Sequence, residues 1–356
     1  MGFLSAPKFL SMPAVGLDIS DDAVRFIELA PGKHSLEVAR YATRNFPLGV
    51  VGEGHIKDKK KLADTIASLA YEFKLTYANV ALPEEQAYLA NMKIPRVAAT
   101  EMRDAIEIRL EENVPIPGNQ AVFDYVVVGD SSARKKEAID VVVSVLPRAV
   151  VDEYLDMFKG TGITPKAFEF ESQAMARSLV PVGDNGTFMI ADVGKMITEI
   201  FVVASGVVQF SASLDIGGHY FTNAVMKKLG LTEEEAEKMK VEYGIIANEK
   251  NRALCDAMLP VINDLKLRLM QHYTYWQTHH SEKFGGNIER VYLSGGGANL
   301  RGLPEYLAMG LDVETRIANP WVNVSSFEVY VPPLLERESL GYSAAIGLAL
   351  RDIITL

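Results

Sequence analysis

Met189-Ile-Ala-Asp192-Val-Gly194-Lys195-Met-Ile-Thr198-Glu-Ile-Phe-Val-Val203 reads as an apolar strand, an Asp-led turn and a second apolar strand. Val15-Gly-Leu-Asp18-Ile-Ser20-Asp21-Asp22-Ala23-Val-Arg25-Phe-Ile-Glu-Leu29 has the same plan, with its Asp in the matching place. A duplicated strand–Asp–turn–strand unit predicts an α/β fold of two related lobes that face each other across a cleft. In such a clamp one hairpin from each lobe meets a phosphate chain. Asp18 and Asp192 would then approach Mg²⁺, an ion that keeps most of its water and asks for only one or two protein carboxylates. Gly194 would let the backbone turn tightly and aim N–H groups at phosphate oxygens. Asp is also common in ordinary β-turns. The repeat at matched positions, rather than either turn alone, favours the clamp.

Composition narrows the classes. At 356 residues the chain is long enough for two lobes, each with its own core. A net charge of −10 argues against a nucleic-acid reader, which would need clustered Lys and Arg. The single cysteine, Cys255, excludes an intrachain disulfide and a cysteine-based zinc site, and suits a reducing cytoplasm. No apolar run approaches the roughly 20 residues of a membrane helix. The leader Phe3–Leu10 reads as a frayed segment against the first strand rather than a membrane tether.

Along the chain, strands are expected at Val15–Ile19, Ala23–Leu29 and Leu36–Phe46, then a helix over 58–73 and a buried strand at Asn79–Leu82. Residues 83–162 have their own βαββα rhythm: strand Tyr88–Ile94, helix Thr100–Glu112 stopped by Pro115 and Pro117, strands Ala121–Val128 and Ala138–Leu146 around the turn Gly129–Glu137, and helix Ala149–Lys159. They read as an insertion into a first lobe made of 1–82, 163–182 and 335–356. The second lobe, 183–334, opens with strands Thr187–Asp192, Thr198–Ala204 and Val207–Ser213. A helix from Gly217-Gly218 to Leu229 follows, then one capped by Thr232 with Glu235, and a long helical stretch over 253–284. Strand Ile288–Ser294 runs into Gly295-Gly296-Gly297, and 340–354 forms a last helix crossing back to the first lobe.

Three further motifs could line the cleft. Gly217 and Gly218 precede a helix whose free N–H groups suit an anion, or serve only the geometry of the turn. Glu237 and Lys240 sit one helical turn apart, as a solvated pair would. Gly295-Gly296-Gly297 with Asn299 follows a strand, and glycines there would let a flat base lie on the backbone. His272, His279 and His280 lack the Cys or carboxylate partners of a metal site and read as exposed helix residues.

In this order the motifs resemble the superfamily of actin, the heat-shock chaperones and the sugar kinases. Within it the chain is most similar to the PilM family of type IV pilus assembly. The insertion carries the most specific part of the match: Ile94-Pro95, Glu101-Met102, Ala105-Ile106, Glu111, Pro115-Ile-Pro117, Phe123-Asp-Tyr125 and Val150-Val-Asp-Glu-Tyr154. Phe221-Thr222 and Ala236-Glu237 with Lys240 extend it through the second lobe. The resemblance implies an actin-like fold with an FtsA-like insertion, and ATP with Mg²⁺ in the cleft. It also implies an adaptor in the cytoplasm, peripheral to the inner membrane, whose insertion grips the N-terminal tail of a PilN-like membrane protein. Other inner-membrane components and self-association are further partners it allows. On the insertion, Arg103, Glu107 and Arg109 are the candidates for partner contact.

The first hairpin departs from the family, which usually has Asp-Ile-Gly followed by small hydroxyl residues and a Lys. Here Ser20, Asp21 and Asp22 take those places, with Arg25 beyond. The helix around Asp264 also lacks the family's usual Arg-Ser pair. Like charges about 4 Å apart cost on the order of 4 kcal/mol at an effective dielectric of 20, so ATP is expected to bind weakly unless Mg²⁺ or Arg25 compensates. The competing reading is an ATPase or small-molecule kinase, but no general base stands out. An FtsA-like filament former would carry an amphipathic membrane helix past the core, where this sequence ends at Leu356.

Overall fold

The computed structural model describes residues 14–128, 138–281, 286–311 and 313–354. The leader Phe3–Leu10 and the turn Gly129–Glu137 lie outside the described residues.

Both repeated hairpins fold as expected, and each seeds a sheet. In the first, β1 (Val15–Ile19) pairs antiparallel with β2 (Ala23–Pro31), which pairs with β3 (Leu36–Asn45). A small β4–β5 hairpin (Val51–Gly52, His55–Ile56) and helix α1 (Lys59–Phe73) follow. Asp58 caps α1, accepting from the Lys61 N–H at 2.9 Å. Then β6 (Tyr77–Leu82) runs parallel to β1 on its other side. In the second sheet β11 (Thr187–Val193), β12 (Thr198–Ala204) and β13 (Val207–Leu214) repeat the antiparallel meander, and β14 (Arg290–Ser294) lies parallel to β11. Two strands the sequence did not single out complete the symmetry: β10 (Thr164–Phe170) beside β6, and β15 (Glu314–Ile317) beside β14. The orders β10-β6-β1-β2-β3 and β15-β14-β11-β12-β13 are therefore the same arrangement made twice. β11 and β12 are buried throughout but for Asp192, as the near-continuous apolar run requires.

Between the halves sits a three-stranded sheet, β7-β9-β8 (Tyr88–Pro95, Ala138–Pro147, Ala121–Val128), covered by helix α2 (Met102–Asn113). It has its own core, with Met102, Ile106 and Leu110 of α2 against Ile94, Phe123 and Val143. Helix α3 (Arg148–Phe158) behaves differently from its expected grouping with this sheet. Its Val150, Tyr154, Met157 and Phe158 pack with Leu62 and Ile66 of α1 and Leu17 of β1, in the core of the first sheet.

Two more helices close the first sheet. Helix α4 (Glu171–Leu179) follows β10 without a break. In the second half come α5 (Gly218–Leu229), α6 (Glu233–Tyr243), α7 (Arg252–His279) and the short α8 (Leu303–Ala308), and α9 (Glu336–Ser339) begins the return to the first. Thr232 and Glu235 form the predicted capping box on α6. The last helix, α10 (Ser343–Leu350), is shorter than read from the sequence, being preceded by a 3₁₀ turn at Leu340–Tyr342. It does cross back to the first sheet. Glycine makes the crossing possible at two points: a Cβ on Gly16 would lie 1.9 Å from the Ala345 carbonyl oxygen, and one on Gly347 would lie 1.7 Å from that of Ala174 in α4. Arg177 secures the junction, donating to the Gly347 carbonyl at 3.1 Å while paired with Glu169.

Gly347→Ala should therefore force α10 off α4. Overpacking a tight site costs roughly 1–3 kcal/mol or more, so the urea midpoint should fall clearly, whereas Gly296→Ala, where a Cβ meets nothing within 4 Å and the backbone is not left-handed, should leave it near the wild type.

Candidate functional site

The ends of β1 and β11 face each other across a cleft of about 850 Å³. Strand register sets what stands beside each aspartate. Asp18 is directly opposite Arg25 on β2, and Asp192 is directly opposite Glu199 on β12. The equivalent position thus carries a cation in one hairpin and an anion in the other. Arg25 lies 3.9 Å from Asp18 and 3.7 Å from Asp22, and donates to the Ser20 hydroxyl at 2.9 Å. Glu199 is 3 % exposed, and neither of its carboxylate oxygens has a hydrogen-bond partner within the protein. One oxygen of Asp18 is equally bare.

Of the residues read from the sequence, Asp18, Ser20, Asp21, Asp22, Arg25, Asp192, Gly194, Lys195, Gly218, Glu237, Lys240, Gly295, Gly296, Gly297 and Asn299 line the cleft. Ala23, Thr198 and Gly217 do not, and each has an internal task. Ala23 is buried, its carbonyl accepting from the Ser20 N–H at 3.0 Å. Thr198 turns its hydroxyl to the Ile216 carbonyl at 2.6 Å. Gly217 lets the chain pass the Lys195 carbonyl, which a Cβ would approach to 2.5 Å. The glycine triplet also divides: a Cβ at Gly295 would strike Asp192 and Val193, and one at Gly297 would strike Val193, whereas one at Gly296 meets nothing within 4 Å. Only Gly296 leaves open space for a ligand.

The N–H groups expected to hold phosphate are engaged elsewhere. Gly194 N–H donates to Ile197 O at 2.9 Å. At the start of α5, Gly218 N–H donates to Gly194 O at 2.9 Å and His219 N–H to Lys195 O at 2.8 Å, so the helix terminus is capped by the second hairpin. Lys195 Nζ pairs with Asp22 at 3.3 Å, and the Met196 backbone favours the charged form of Asp21. The first hairpin's side chains therefore sit on the second hairpin's donors. At the far end, Lys240 Nζ is held by Glu237 at 2.7 Å, Thr222 Oγ1 at 2.9 Å and Gly218 O at 3.2 Å.

Five carboxylates that the sequence did not flag complete the cleft: Glu85, Glu171 and Glu199, with Glu233 and Glu234 at the start of α6. Burial pushes the Asp192 carboxyl up to about 7, with the charge of Asp18 adding to it. Asp18 rises to about 6 for the same reason despite Arg25, and Asp21 to about 6 through burial and then the charges of Glu85 and Asp22. Glu171 is raised well above the usual range by burial and then the charge of Glu199, and Glu199 by burial and then the charges of Glu84 and Glu85. Among the described residues no three His, Cys, Asp or Glu side chains converge closely enough to bind a metal ion alone. Asp18 and Asp192 could still hold a hydrated Mg²⁺ through water, which ATP would bring with it.

On the insertion, Arg103 stacks over the Phe123 ring at 4.4 Å and Arg109 donates to the Lys93 carbonyl at 2.6 Å. Both arginines brace α2 against its sheet, and Glu107 is exposed.

The family model of the type IV pilus assembly protein PilM matches residues 16–353. The chain belongs to the PilM family. Among solved structures, a PilM-PilN type IV pilus biogenesis complex superposes with a TM-score of 0.80 at 24 % identity, over 96 % of this chain and 99 % of that one. The ethanolamine utilization protein EutJ from Carboxydothermus hydrogenoformans matches at 0.54 and 15 % identity, over 95 % and 89 %. MreB5 of Spiroplasma citri bound to ADP matches at 0.51 and 13 % identity, over 88 % and 94 %. Together they show that this PilM-family chain has the actin-like fold.

The sign of the pH effect follows from the raised carboxyls. Unfolding returns Asp192 from about 7 to an ordinary value near 3.8, so the folded state holds the extra proton between those limits. Stability is fully present below about pH 4 and is lost as pH rises through 7. The wild-type melting temperature should decline by several degrees from pH 5 to pH 8, at about 2–4 °C per kcal/mol. Asp192→Asn should flatten that decline and melt above the wild type at pH 8.

Proposed function

We propose that this PilM-family chain is a pilus-assembly adaptor, peripheral to the inner membrane. It binds the cytoplasmic N-terminal tail of a PilN-like membrane protein through the inserted sheet, and its cleft takes nucleotide as a structural ligand, with ATP held weakly. Family membership supports the role, and the relative solved as a complex with PilN supports the partner class. No helix among the described residues is long and apolar enough to cross a membrane, so attachment comes through partners. We take residues 88–147 as the gripping unit, because α3 packs with the first sheet. The first lobe is then the rest of 1–182 with 335–356, and the second lobe is 183–334.

The observation that carries the non-catalytic reading is the engagement of the phosphate-facing donors within the protein. The cleft fits the two ends of Mg-ATP unequally. Gly296, Glu237 and Lys240 suit a nucleoside, but the hairpins offer a triphosphate few free N–H groups and several carboxylates. A kinase would also need a base beside an acceptor hydroxyl, and the raised carboxyls surround the hairpins instead.

A synthetic tail of the PilN-like partner should bind the full chain with the same affinity, within about twofold, in the presence and absence of Mg-ATP. Asp192→Ala should leave that affinity unchanged. Calorimetric titration that detected no tail binding to folded protein would refute the adaptor. ATP turnover abolished by Asp192→Ala would favour an enzyme.

A further inference from the structure

We propose that the cleft discriminates by phosphate count, accepting nucleosides with a short phosphate chain, or none, in preference to triphosphates. This rests on the reading that the cleft takes a nucleotide at all. Its selectivity is a separate matter, set by the first hairpin acting as a built-in anion.

The two ends of the cleft differ in what they leave for a ligand. At the glycine end, Gly296 is open, the side chains of Val241 and Leu300 are apolar, and Arg337 supplies a planar cation that can stack on a base. Glu237 is oriented there by Thr222 at 2.6 Å and Lys240 at 2.7 Å while half its side chain stays exposed. It can accept hydrogen bonds from ligand hydroxyls without losing those it already makes.

At the hairpin end the anion is already present. Asp22 holds Lys195 at 3.3 Å, and Asp21 stands beside it with the Met196 backbone favouring its charge; Lys195 is the cation a terminal phosphate would need from the second hairpin. Displacing these carboxylates returns two buried or half-buried anions to a cleft that also holds Asp18, Asp192 and Glu199. An adenosine or monophosphate leaves the latch closed. Each further phosphate must open it, and adds negative charge to a wall that is already acidic. The departure of Asp21 and Asp22 from the hydroxyl residues usual at these positions thus becomes a selectivity device.

The test is a calorimetric series with adenosine, AMP, ADP and ATP, each in excess Mg²⁺. It is run on the full chain, on Asp21→Ser with Asp22→Ser, and on Asp22→Asn, which keeps volume and hydrogen bonding if the double variant fails to fold. In the wild type, ATP should bind no more tightly than ADP or AMP. The double variant should gain tenfold or more for ATP and less than twofold for adenosine, with Asp22→Asn in between. Tighter wild-type binding of ATP than of ADP would overturn the selectivity and leave the nucleotide cleft standing. Silence from all four ligands in every protein would overturn the nucleotide cleft itself, while the tail titration would still report on the adaptor.

Discussion

Carboxylates drawn out of water tie the two halves of this molecule together. Asp22 pairs with Lys195 at 3.3 Å, and Asp21 beside it has its charge favoured by the Met196 backbone. Glu84, 5 % exposed, accepts from the Ser172 hydroxyl at 2.9 Å, and Ser211 on β13 of the opposite sheet favours its charge. Asp22 thereby joins an acid of the first half to a cation of the second, while Glu84 is fixed by α4 of its own half and faces the second. A desolvated carboxylate needs such partners, because burial without them costs several kcal/mol. The relation of the sheets, and hence the width of the cleft, depends on satisfying these few anions. Glu84 also precedes β7, whose Asn91 side chain donates to the Gln209 carbonyl at 2.9 Å, so the inserted sheet is seated on the same junction.

The duplication that defines the fold has not kept its two copies chemically alike. Asp18 has Arg25 across the ladder and Asp192 has Glu199. From sequence alone the Asp192 hairpin looked the better phosphate site, since it keeps Gly194 and Thr198. In the folded protein Gly194 shapes the turn and Thr198 bonds to Ile216, while the first hairpin has acquired both its excess acids and the arginine that tempers them. Shared ancestry fixes the backbone of a site more firmly than it fixes what the site binds.

Much of this was legible in the chain because it rests on local pattern. The paired hairpins, the inserted βαββα rhythm up to Leu146 and the capping box at Thr232 are all short-range signals. The lapses share a cause in long-range packing. β10 runs directly into α4 without a turn residue, so no punctuation separates strand from helix at Phe170 and Glu171. Helix α3 has an apolar face that could serve either sheet, and only the fold decides which. Glu85, Glu171 and Glu199 come from three separate elements and look like ordinary surface acids one at a time. The hairpin register does hold a clue for Glu199, since a strand–turn–strand reading sets it beside Asp192. The glycine triplet misled in a different way: glycine records a need for space, and at Gly295 and Gly297 the space is taken by β11 rather than by a ligand.

The place of α10 has a consequence for how the chain reaches its fold. β1 opens the described fold, yet its Gly16 is covered by Ala345 far along the chain, and Asn79 on β6 donates to the Leu348 carbonyl at 3.1 Å. The first sheet is therefore not sealed until α10 docks on it. The strands and helices of the second sheet follow one another in sequence, and their buried core borrows from outside only Met175, Ala176, Leu179 and Val180 in and just after α4 and Leu340 and Ala344 in and just before α10. Synthesis runs from the amino terminus, but completion runs the other way. The half that begins first must wait, with its β1 and α4 surfaces bare, for a helix of eight residues.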